Sequence, residues 1–244
     1  MKSIDLFAGI TGKLVLPRTS VVIVAAGSST RMNGVDKMLA DLSGKPVILR
    51  TAEAFQRCGS VQEIIVVTRA DIREQVETIL REGAITKLAA VVEGGATRVE
   101  SVWKGLKVVS KKAKLIAIHD GARPLVSQSI INETLRKAKE LKAAVPAMPV
   151  KDTIRTVEGG IGVSTPDRSK LYAMQTPQVF DADLIRAAVL HCLTKNIPVT
   201  DDVSAAETLG MKAAIVPGAE ENLKITTRLD LAVAAALARR QDAK

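Results

Sequence analysis

A loop of small residues with two cations beside it is the part of this 244-residue chain best suited to chemistry. The loop follows an apolar run at 21–24 and has no bulky side chain between Ala25 and Thr30. Backbone N–H groups in such a loop can approach an anion closely. Arg31 and Lys37 add two positive charges just beyond it. The pattern predicts a buried strand followed by a cradle for a triphosphate; the alternative is an ordinary turn whose Arg31 and Lys37 are only solvated.

This loop matches neither of the two common phosphate-binding loops. A P-loop requires GxxxxGK[ST], but Gly12-Lys13 is followed by Leu14. A dinucleotide-binding loop requires GxGxxG, and Gly27 is followed by two serines and Thr30. The sequence therefore predicts a different kind of nucleotide site.

The composition narrows the class of partner. Hydrophobic residues make up 47% of the chain, which is enough for a sizeable core, and the formal net charge is +9. The Lys and Arg residues are interspersed with Asp and Glu, and aromatic residues, which stack on bases, make up only 2%. We therefore expect no nucleic-acid partner and interpret the positive charge as suited to small anionic substrates.

The cysteine count and the N-terminal sequence bear on location. Cys58 and Cys192 are far apart and belong to no CxxC motif, so neither a disulfide framework nor a zinc site is predicted. Residues 1–19 contain no signal-like apolar run, and no stretch of about 18 apolar residues suggests a membrane span. We expect a cytoplasmic protein without a membrane partner, in which residues 1–19 form an N-terminal extension.

Strands and helices alternate along the rest of the chain. Apolar runs predict strands near 20–25, 63–68, 88–92, 115–119 and 213–216. Capping residues and a proline predict helices that begin near Pro46, Asp71, Arg98, Ser127, Asp181 and Thr227. This order predicts an α/β fold, a three-layer Rossmann-like domain with a mostly parallel sheet, formed by residues 20–244 as a single domain.

Residues 149–171 interrupt this alternation. Two extended polar segments flank Gly159-Gly160, which predicts a projecting β-hairpin arm. Neither segment has the apolar face that a core strand requires, and a two-stranded ribbon is marginal alone. We therefore expect the arm to pack on a second copy of the chain, which gives a homodimer.

Several polar groups follow predicted strands and are expected to meet. In open α/β sheets, ligands bind at the carboxyl ends of the strands. The loop at 25–37, Gly94-Gly95, Asp120 with Arg123, and Lys224 all belong there. His119 and Asp120 are not expected to act as a catalytic pair, because adjacent strand residues point to opposite faces.

The ordered set of motifs resembles the 2-C-methyl-D-erythritol 4-phosphate cytidylyltransferase family from about residue 20 to 240. The matching segments are AAGSSTRM with Lys37, EGGATRVESV at 93–102, HDGARP at 119–124, VKDT at 150–153, DRSKLYAMQTPQVF at 167–180, TDD at 200–202 and NLKIT at 222–226. The resemblance implies transfer of CMP from CTP to a polyol phosphate, with release of pyrophosphate, in non-mevalonate isoprenoid precursor synthesis.

The resemblance also implies a role for each matching residue. The residues implied to bind the nucleotide are Ala25, Ala26, Gly27, Ser29, Gly95 and Ser101. The residues implied to be catalytic, by holding the triphosphate and stabilising charge at the α-phosphorus, are Arg31 and Lys37. The residues implied to bind the polyol phosphate are Asp120, Arg123, Thr153, Arg168 and Lys224. The implied cofactor is Mg²⁺, held mainly by the CTP phosphates, and Thr153 and Arg168 are implied to enter the partner subunit's site.

Two departures from the family pattern and two alternatives remain open at this point. Asp36 stands where Pro is common, so the turn that presents Lys37 is expected to be looser. Ala96 replaces an acidic residue seen in some members, which leaves one nucleotide contact open. A ribitol 5-phosphate cytidylyltransferase would share the fold and the nucleotide loop. A nucleotide-binding regulatory protein without catalysis is a second alternative, against which the retention of Arg31, Lys37, Asp120 and Lys224 counts.

Overall fold

Strand β1 (Thr19–Ala25) lies inside the sheet and positions the loop that follows it. The computed structural model describes residues 16–27 and 36–243. Within them, β1 pairs in parallel with β2 (Val61–Thr68) on one side and β4 (Leu115–Asp120) on the other. All three strands are covered on both faces, which explains why each reads as a nearly continuous apolar run.

The sheet combines parallel neighbours with one antiparallel insertion. Its other strands are β3 (Leu88–Glu93), β5 (Ala143–Pro149), β8 (Tyr172–Met174), β9 (Gln178–Asp181) and β10 (Ala214–Pro217). The order is β10-β5-β9-β4-β1-β2-β3, and β8 pairs with β5 beside this path. Strands β8 and β9 run antiparallel to their neighbours, so the remaining strands of the sheet all point the same way. The mixed, mostly parallel sheet that the sequence predicts is confirmed.

Helices cover both faces of the sheet. They are α1 (Val47–Gln56), α2 (Arg73–Glu82), α3 (Arg98–Val108), α4 (Gln128–Leu141), α5 (Ala182–Lys195), α6 (Asp202–Glu207) and α7 (Arg228–Asp242). One hydrophobic cluster joins α1, α2, α4 and α7 to the face that carries Val21 and Ile23. A second cluster joins α3, α5 and α6 to the opposite face, which carries Val22. This arrangement confirms three layers.

Side-chain caps begin several of these helices where the sequence predicts them. The side chains of Ser127, Asp181 and Thr227 accept hydrogen bonds from N–H groups in the first turns of α4, α5 and α7, respectively. Each such cap contributes on the order of 1 kcal/mol. The prediction that Asp71 caps α2 is wrong: a 3₁₀ turn at Ala70–Ile72 precedes that helix, and the Asp71 carboxylate binds Arg69 instead.

The predicted arm is present. Strands β6 (Thr156–Glu158) and β7 (Ile161–Ser164) pair antiparallel around Gly159-Gly160, where positive φ angles of 55° and 83° favour glycine. The expectation that both segments of the arm are polar is wrong, because the apolar side chains of Val157, Ile161 and Val163 are exposed on it. No helix in the described part of the chain is long and apolar enough to span a bilayer.

Candidate functional site

A cavity of about 360 Å³ opens at the carboxyl ends of β1 and β4. Residues that follow β1, β3 and β4 line it, as expected for an open α/β sheet. From the set that the sequence singles out, the cavity brings together Ala25, Ala26, Gly27, Lys37, Gly95, Ser101, Asp120 and Lys224.

The other predicted residues lie elsewhere. Arg123 stands behind Asp120 and does not line the cavity. Thr153 and Arg168 are exposed on the arm, where Arg168 Nη1 donates to the carbonyl of Lys151 at 2.6 Å. Ser29 and Arg31 lie outside the described residues.

Close backbone packing shapes the nucleotide side of the cavity. A Cβ atom on Gly94 would lie 2.5 Å from Cβ of Ala26 and 3.0 Å from Oγ of Ser101, so a side chain at this position would force the two loops apart. A Cβ atom on Gly27 would lie 3.5 Å from Nζ of Lys37. The ammonium group of Lys37 therefore lies directly beside the small-residue loop.

The start of α3 is fixed by its own hydrogen bonds. Ser101 Oγ accepts from the N–H of Gly95 at 3.0 Å and donates to the carbonyl of Thr97 at 2.9 Å. Oε2 of Glu100 accepts from the N–H of Ala96 at 2.8 Å, so a carboxylate is present near the position where the sequence lacks an acidic residue. These bonds hold the 94–101 segment in one shape against the cavity.

Asp120 is the centre of the charges in the cavity. Its Oδ2 lies 3.0 Å from Nζ of Lys224 and 3.4 Å from Nε of Arg123. Burial opposes the charged form, but Lys224, Arg98 and Arg123 outweigh it and lower the pKa of Asp120 to about 2. At neutral pH the carboxylate is ionised and orients the two nearest cations.

His119 lies behind the cavity, on the other side of the strand from Asp120. It is fully buried and packs edge-on against Phe55, with ring centroids 4.8 Å apart. Its Nδ1 and Nε2 each lie 3.0 Å from an oxygen, Oγ1 of Thr176 and the carbonyl of Arg123. Burial lowers the pKa of His119 to about 4, so the ring is neutral at pH 7 and serves the structure rather than the reaction.

Sequence reasoning missed an ion pair that borders the cavity. Arg98, which lines the cavity, donates two hydrogen bonds of 2.9 and 2.6 Å to the buried carboxylate of Asp202. Burial opposes the charge on Arg98, but Asp202 outweighs it and raises the pKa of the guanidinium. Gln178 Oε1 accepts from the N–H groups of Asp202 and Val203, which fixes the start of α6. The TDD segment at 200–202, which contains Asp202, is the sequence signal for this pair.

A buried amide network holds the segment that presents Lys224. Nδ2 of Asn222, which is fully buried, donates to Oε1 of Gln175 and to the carbonyl of Thr176, both at 3.0 Å. The carbonyl of Asn222 in turn accepts from Nη1 of Arg123 at 2.6 Å. Lys224 and Arg123 are therefore positioned by the same network.

The cavity lining favours a polyanionic ligand. Lys37, Arg98 and Lys224 contribute three cationic side chains, and Asp120 is the carboxylate among the described lining residues. Backbone from the small-residue loop completes one wall. An arrangement with this charge and without a bulky wall can hold phosphates close to the backbone.

Comparisons with known proteins identify the family of the chain. The family model described as IspD, 2-C-methyl-D-erythritol 4-phosphate cytidylyltransferase, matches residues 19–240. A protein of that name from Caldanaerobacter subterraneus is 44% identical over 88% of this chain and 96% of its own length. Another, from Alkaliphilus oremlandii, is 40% identical over 90% of this chain and 94% of its own length.

Solved structures give the same result. The crystal structure of 4-diphosphocytidyl-2C-methyl-D-erythritol synthase from Anaerococcus prevotii superposes with a TM-score of 0.80 at 32% identity, covering 91% of this chain and 96% of that one. The 2-C-methyl-D-erythritol 4-phosphate cytidylyltransferase of Thermus thermophilus gives a TM-score of 0.75 at 31% identity, covering 92% and 100%. Sequence and fold comparisons thus agree, and the chain belongs to the 2-C-methyl-D-erythritol 4-phosphate cytidylyltransferase family.

Proposed function

We propose that the cavity at the ends of β1 and β4 carries out the reaction of this family. The chain is a CTP-dependent nucleotidyltransferase: it transfers CMP from CTP to 2-C-methyl-D-erythritol 4-phosphate and releases pyrophosphate, in isoprenoid precursor synthesis. The observation that carries the assignment is the meeting of Lys37, Asp120 and Lys224 around one cavity in a chain that matches the family over 19–240. The comparisons do not favour the ribitol 5-phosphate alternative.

The reaction needs no protein nucleophile. A phosphate oxygen of the acceptor attacks the α-phosphorus of CTP in line, the bond from the α-phosphorus to the bridging oxygen breaks, and pyrophosphate leaves. The protein must bring two anions together and stabilise the charge that grows on the α-phosphate. A cavity lined by cations, with orienting carboxylates behind them, is suited to both tasks.

On the nucleotide side, the proposal assigns binding to the loop after β1 and to the start of α3. The residues concerned are Ala25, Ala26, Gly27, Ser29, Gly95 and Ser101. The tight contact between Gly94 and Ala26 supports a narrow slot there, because it keeps the two loops at backbone distance. Arg31 and Lys37 would hold the triphosphate, and the position of Lys37 Nζ beside Gly27 supports its share of that role.

On the acceptor side, the proposal assigns binding to Asp120, Arg123, Thr153, Arg168 and Lys224. The Asp120–Lys224 ion pair supports this, since an ionised carboxylate both orients the lysine and can accept hydrogen bonds from polyol hydroxyls. Arg123 is tied to Asp120 and to the carbonyl of Asn222, which suits an orienting role. Thr153 and Arg168 would be supplied by the partner subunit.

Magnesium is proposed as the cofactor. Within residues 16–27 and 36–243, no three His, Cys, Asp or Glu side chains form a metal-binding group. This donor set fits an ion that takes its ligands mainly from phosphates and water, with Asp120 as the carboxylate at hand. When bound, Mg²⁺ would neutralise negative charge on the triphosphate.

The homodimer through the 149–171 arm is also a proposal. The arm exposes Val157, Ile161 and Val163, and its two strands pair only with each other among the described residues. Apolar side chains on a thin ribbon gain from being covered. A second copy that covers them would also receive Thr153 and Arg168. We further propose a cytoplasmic location and a single domain over residues 20–244 that follows an N-terminal extension at 1–19. Thr19 itself belongs to the domain, because β1 begins there.

The direct test is pyrophosphate release from CTP with 2-C-methyl-D-erythritol 4-phosphate, with ribitol 5-phosphate and without acceptor. We expect kcat/KM to be highest for the methylerythritol phosphate and release to depend on added Mg²⁺. Equal or higher kcat/KM with ribitol 5-phosphate would favour the alternative polyol. Binding of CTP without release from either acceptor would identify a non-catalytic regulatory protein.

A further inference from the structure

Arg69 joins the two described ends of the loop that follows β1. It comes directly after β2, and its side chain is 25% exposed. Its Nη1 lies 2.6 Å from Oδ2 of Asp36 and donates to the carbonyl of Gly27 at 3.4 Å. Gly27 and Asp36 border residues 28–35. One guanidinium nitrogen therefore contacts the residue before this segment and the residue after it.

Asp36 also forms hydrogen bonds within the turn that carries Lys37. Oδ1 of Asp36 accepts from the N–H of Met38 at 2.7 Å, and its carbonyl accepts from the N–H of Ala40 at 2.9 Å. Lys37 is thus enclosed in a small turn closed by the Asp36 side chain. Met38 is buried, which anchors the far side of the turn in the core. These contacts do not support the looser turn that was expected from Asp36 in place of Pro.

A second carboxylate fixes the direction of the guanidinium. Nε and Nη2 of Arg69 each lie 2.9 Å from an oxygen of Asp71. The hydrogen bond to Asp71 is the largest reason that the pKa of Arg69 is raised, so the side chain stays charged. A planar fork held on one edge by Asp71 can point only its other edge toward Asp36 and Gly27. Asp71 orients Arg69, and Arg69 in turn holds Asp36.

We propose that Arg69 is a positioning residue that ties Asp36 to Gly27 and so fixes the ammonium group of Lys37 at the nucleotide loop. The inference rests on the proposed function, since it gives Arg69 a role in presenting Lys37 to CTP. Arg69 does not line the cavity. It acts by keeping a neighbouring cation within the tolerance that in-line transfer demands, where displacements of about 1 Å cost up to ~100-fold in rate.

The alternative is a surface ion pair without functional effect. Exposed pairs typically contribute about 0–1 kcal/mol to stability and leave turnover unchanged. Arg136 on α4 provides a matched control, because it too binds two carboxylates, those of Glu133 and Glu140, on a helix that presents no cavity residue. A difference between the two arginines would separate a positioning role from general surface electrostatics.

The kinetic test compares Arg69→Gln, Asp36→Asn, the double variant and Arg136→Gln. Asn at position 36 can still accept from the N–H of Met38, so that variant removes the charge pair with Arg69 and keeps the hydrogen-bond acceptor of the turn. We expect either single change to lower kcat about tenfold with KM for CTP little altered, and the double variant to be no slower than either single one. Arg69→Lys keeps the charge without the fork and should stay slow.

The second measurement does not depend on activity. Amide hydrogen exchange at Met38 and Ala40 should become faster in Arg69→Gln, while Ile118 in β4 stays protected. Three results would each overturn the positioning role. They are a wild-type kcat in Arg69→Gln, a wild-type kcat in Arg69→Lys, and a loss of kcat in Arg69→Gln without faster amide exchange at Met38 and Ala40. Should Arg69→Gln fail to fold, Asp36→Asn gives the same two readouts. Wild-type protein without CTP-dependent pyrophosphate release would instead refute the proposed function, and the exchange result would still report on the contact.

Discussion

The cavity at the ends of β1 and β4 and the arm at 149–171 differ in how their side chains are held. In the cavity, Asp120 is almost fully buried and lies within reach of two cations, and the backbone around it is tied by hydrogen bonds. In the arm, both strands are exposed along their whole length, and Arg168 bonds to a carbonyl of the arm itself. One region is organised by its own chain, whereas the other lacks a partner surface among the described residues.

Under the proposed function, this difference indicates which parts of the site one chain forms alone and which require a second chain. Buried polar networks fix geometry, because leaving any member unpaired costs free energy. Exposed side chains on a two-stranded ribbon acquire fixed positions only against something else. The nucleotide end of the reaction and the Asp120–Lys224 part of the acceptor end would thus be prearranged in one chain, while assembly would add Thr153 and Arg168.

The largest expected effect comes from removing the charge of Lys37 from the cavity. Lys37→Ala should lower kcat at least ~100-fold while raising KM for CTP much less, because its charge counts most when charge develops on the α-phosphate. Steady-state kinetics with varied CTP measure both constants. A variant with near-normal kcat and only a raised KM would make Lys37 a simple binding residue.

The second prediction tests whether the arm of one subunit completes the site of the other. Arg168→Ala and Lys37→Ala should each be nearly inactive alone, yet mixing them after reversible dissociation should restore activity. About half of the dimers would be heterodimers, each with one site free of both substitutions, so recovery should approach roughly a quarter of wild type. Subunit exchange is followed separately with differently tagged chains. Exchange without recovery would mean that each site is built within one chain.

Much of the cavity side could be predicted because its signals are local. The apolar runs of β1, β2 and β4 and the caps Ser127, Asp181 and Thr227 act within a few residues of themselves. Once the strands are known, topology brings their carboxyl ends together, which is why Lys37, Asp120 and Lys224 could be expected to meet.

Two features that sequence reasoning missed depend on distant partners, and a third depends on a neighbour in the sequence. Strand β5 carries three alanines and two prolines, which local propensity does not favour in a strand, and it is stabilised by its neighbours β9 and β10. The Arg98–Asp202 pair joins residues 104 positions apart. Asp71 has the right type and place for a cap, but the neighbouring Arg69 competes for its carboxylate.

A smaller effect, on the free energy of unfolding, tests whether the residues behind the cavity are as buried as the structure indicates. The pKa of His119 is about 4 in the folded chain, against about 6.5 when exposed, so between these values the unfolded state binds the extra proton. The free energy of unfolding should therefore fall as the pH drops from about 6.5 to 4, by on the order of 3 kcal/mol from this residue. Urea unfolding at a series of pH values measures it.

The control for this titration is His119→Gln, which removes the ionisable ring. The variant is expected to be less stable at neutral pH, because Phe55 and Thr176 lose a packed partner. Its dependence on pH between 6.5 and 4 should nevertheless be flatter than that of the wild type. Equal slopes in the two proteins would show that His119 does not control acid stability and that the wall is more accessible to protons than its burial implies.

The smallest effect concerns the apolar side chains of the arm. Ile161 is 71% exposed on β7, and in the proposed dimer it is covered by the second copy. Ile161→Asp should raise the dimer dissociation constant by at least about tenfold, since a charge would have to lose its water on assembly. Sedimentation velocity across a dilution series measures it, and Leu190→Asp on α5, where the leucine is 47% exposed, is the control. If both variants dimerise like the wild type, the arm does not hold the subunits together. If the control weakens the dimer and Ile161→Asp does not, the interface lies on the α5 face, and Arg168 would have to act within its own chain.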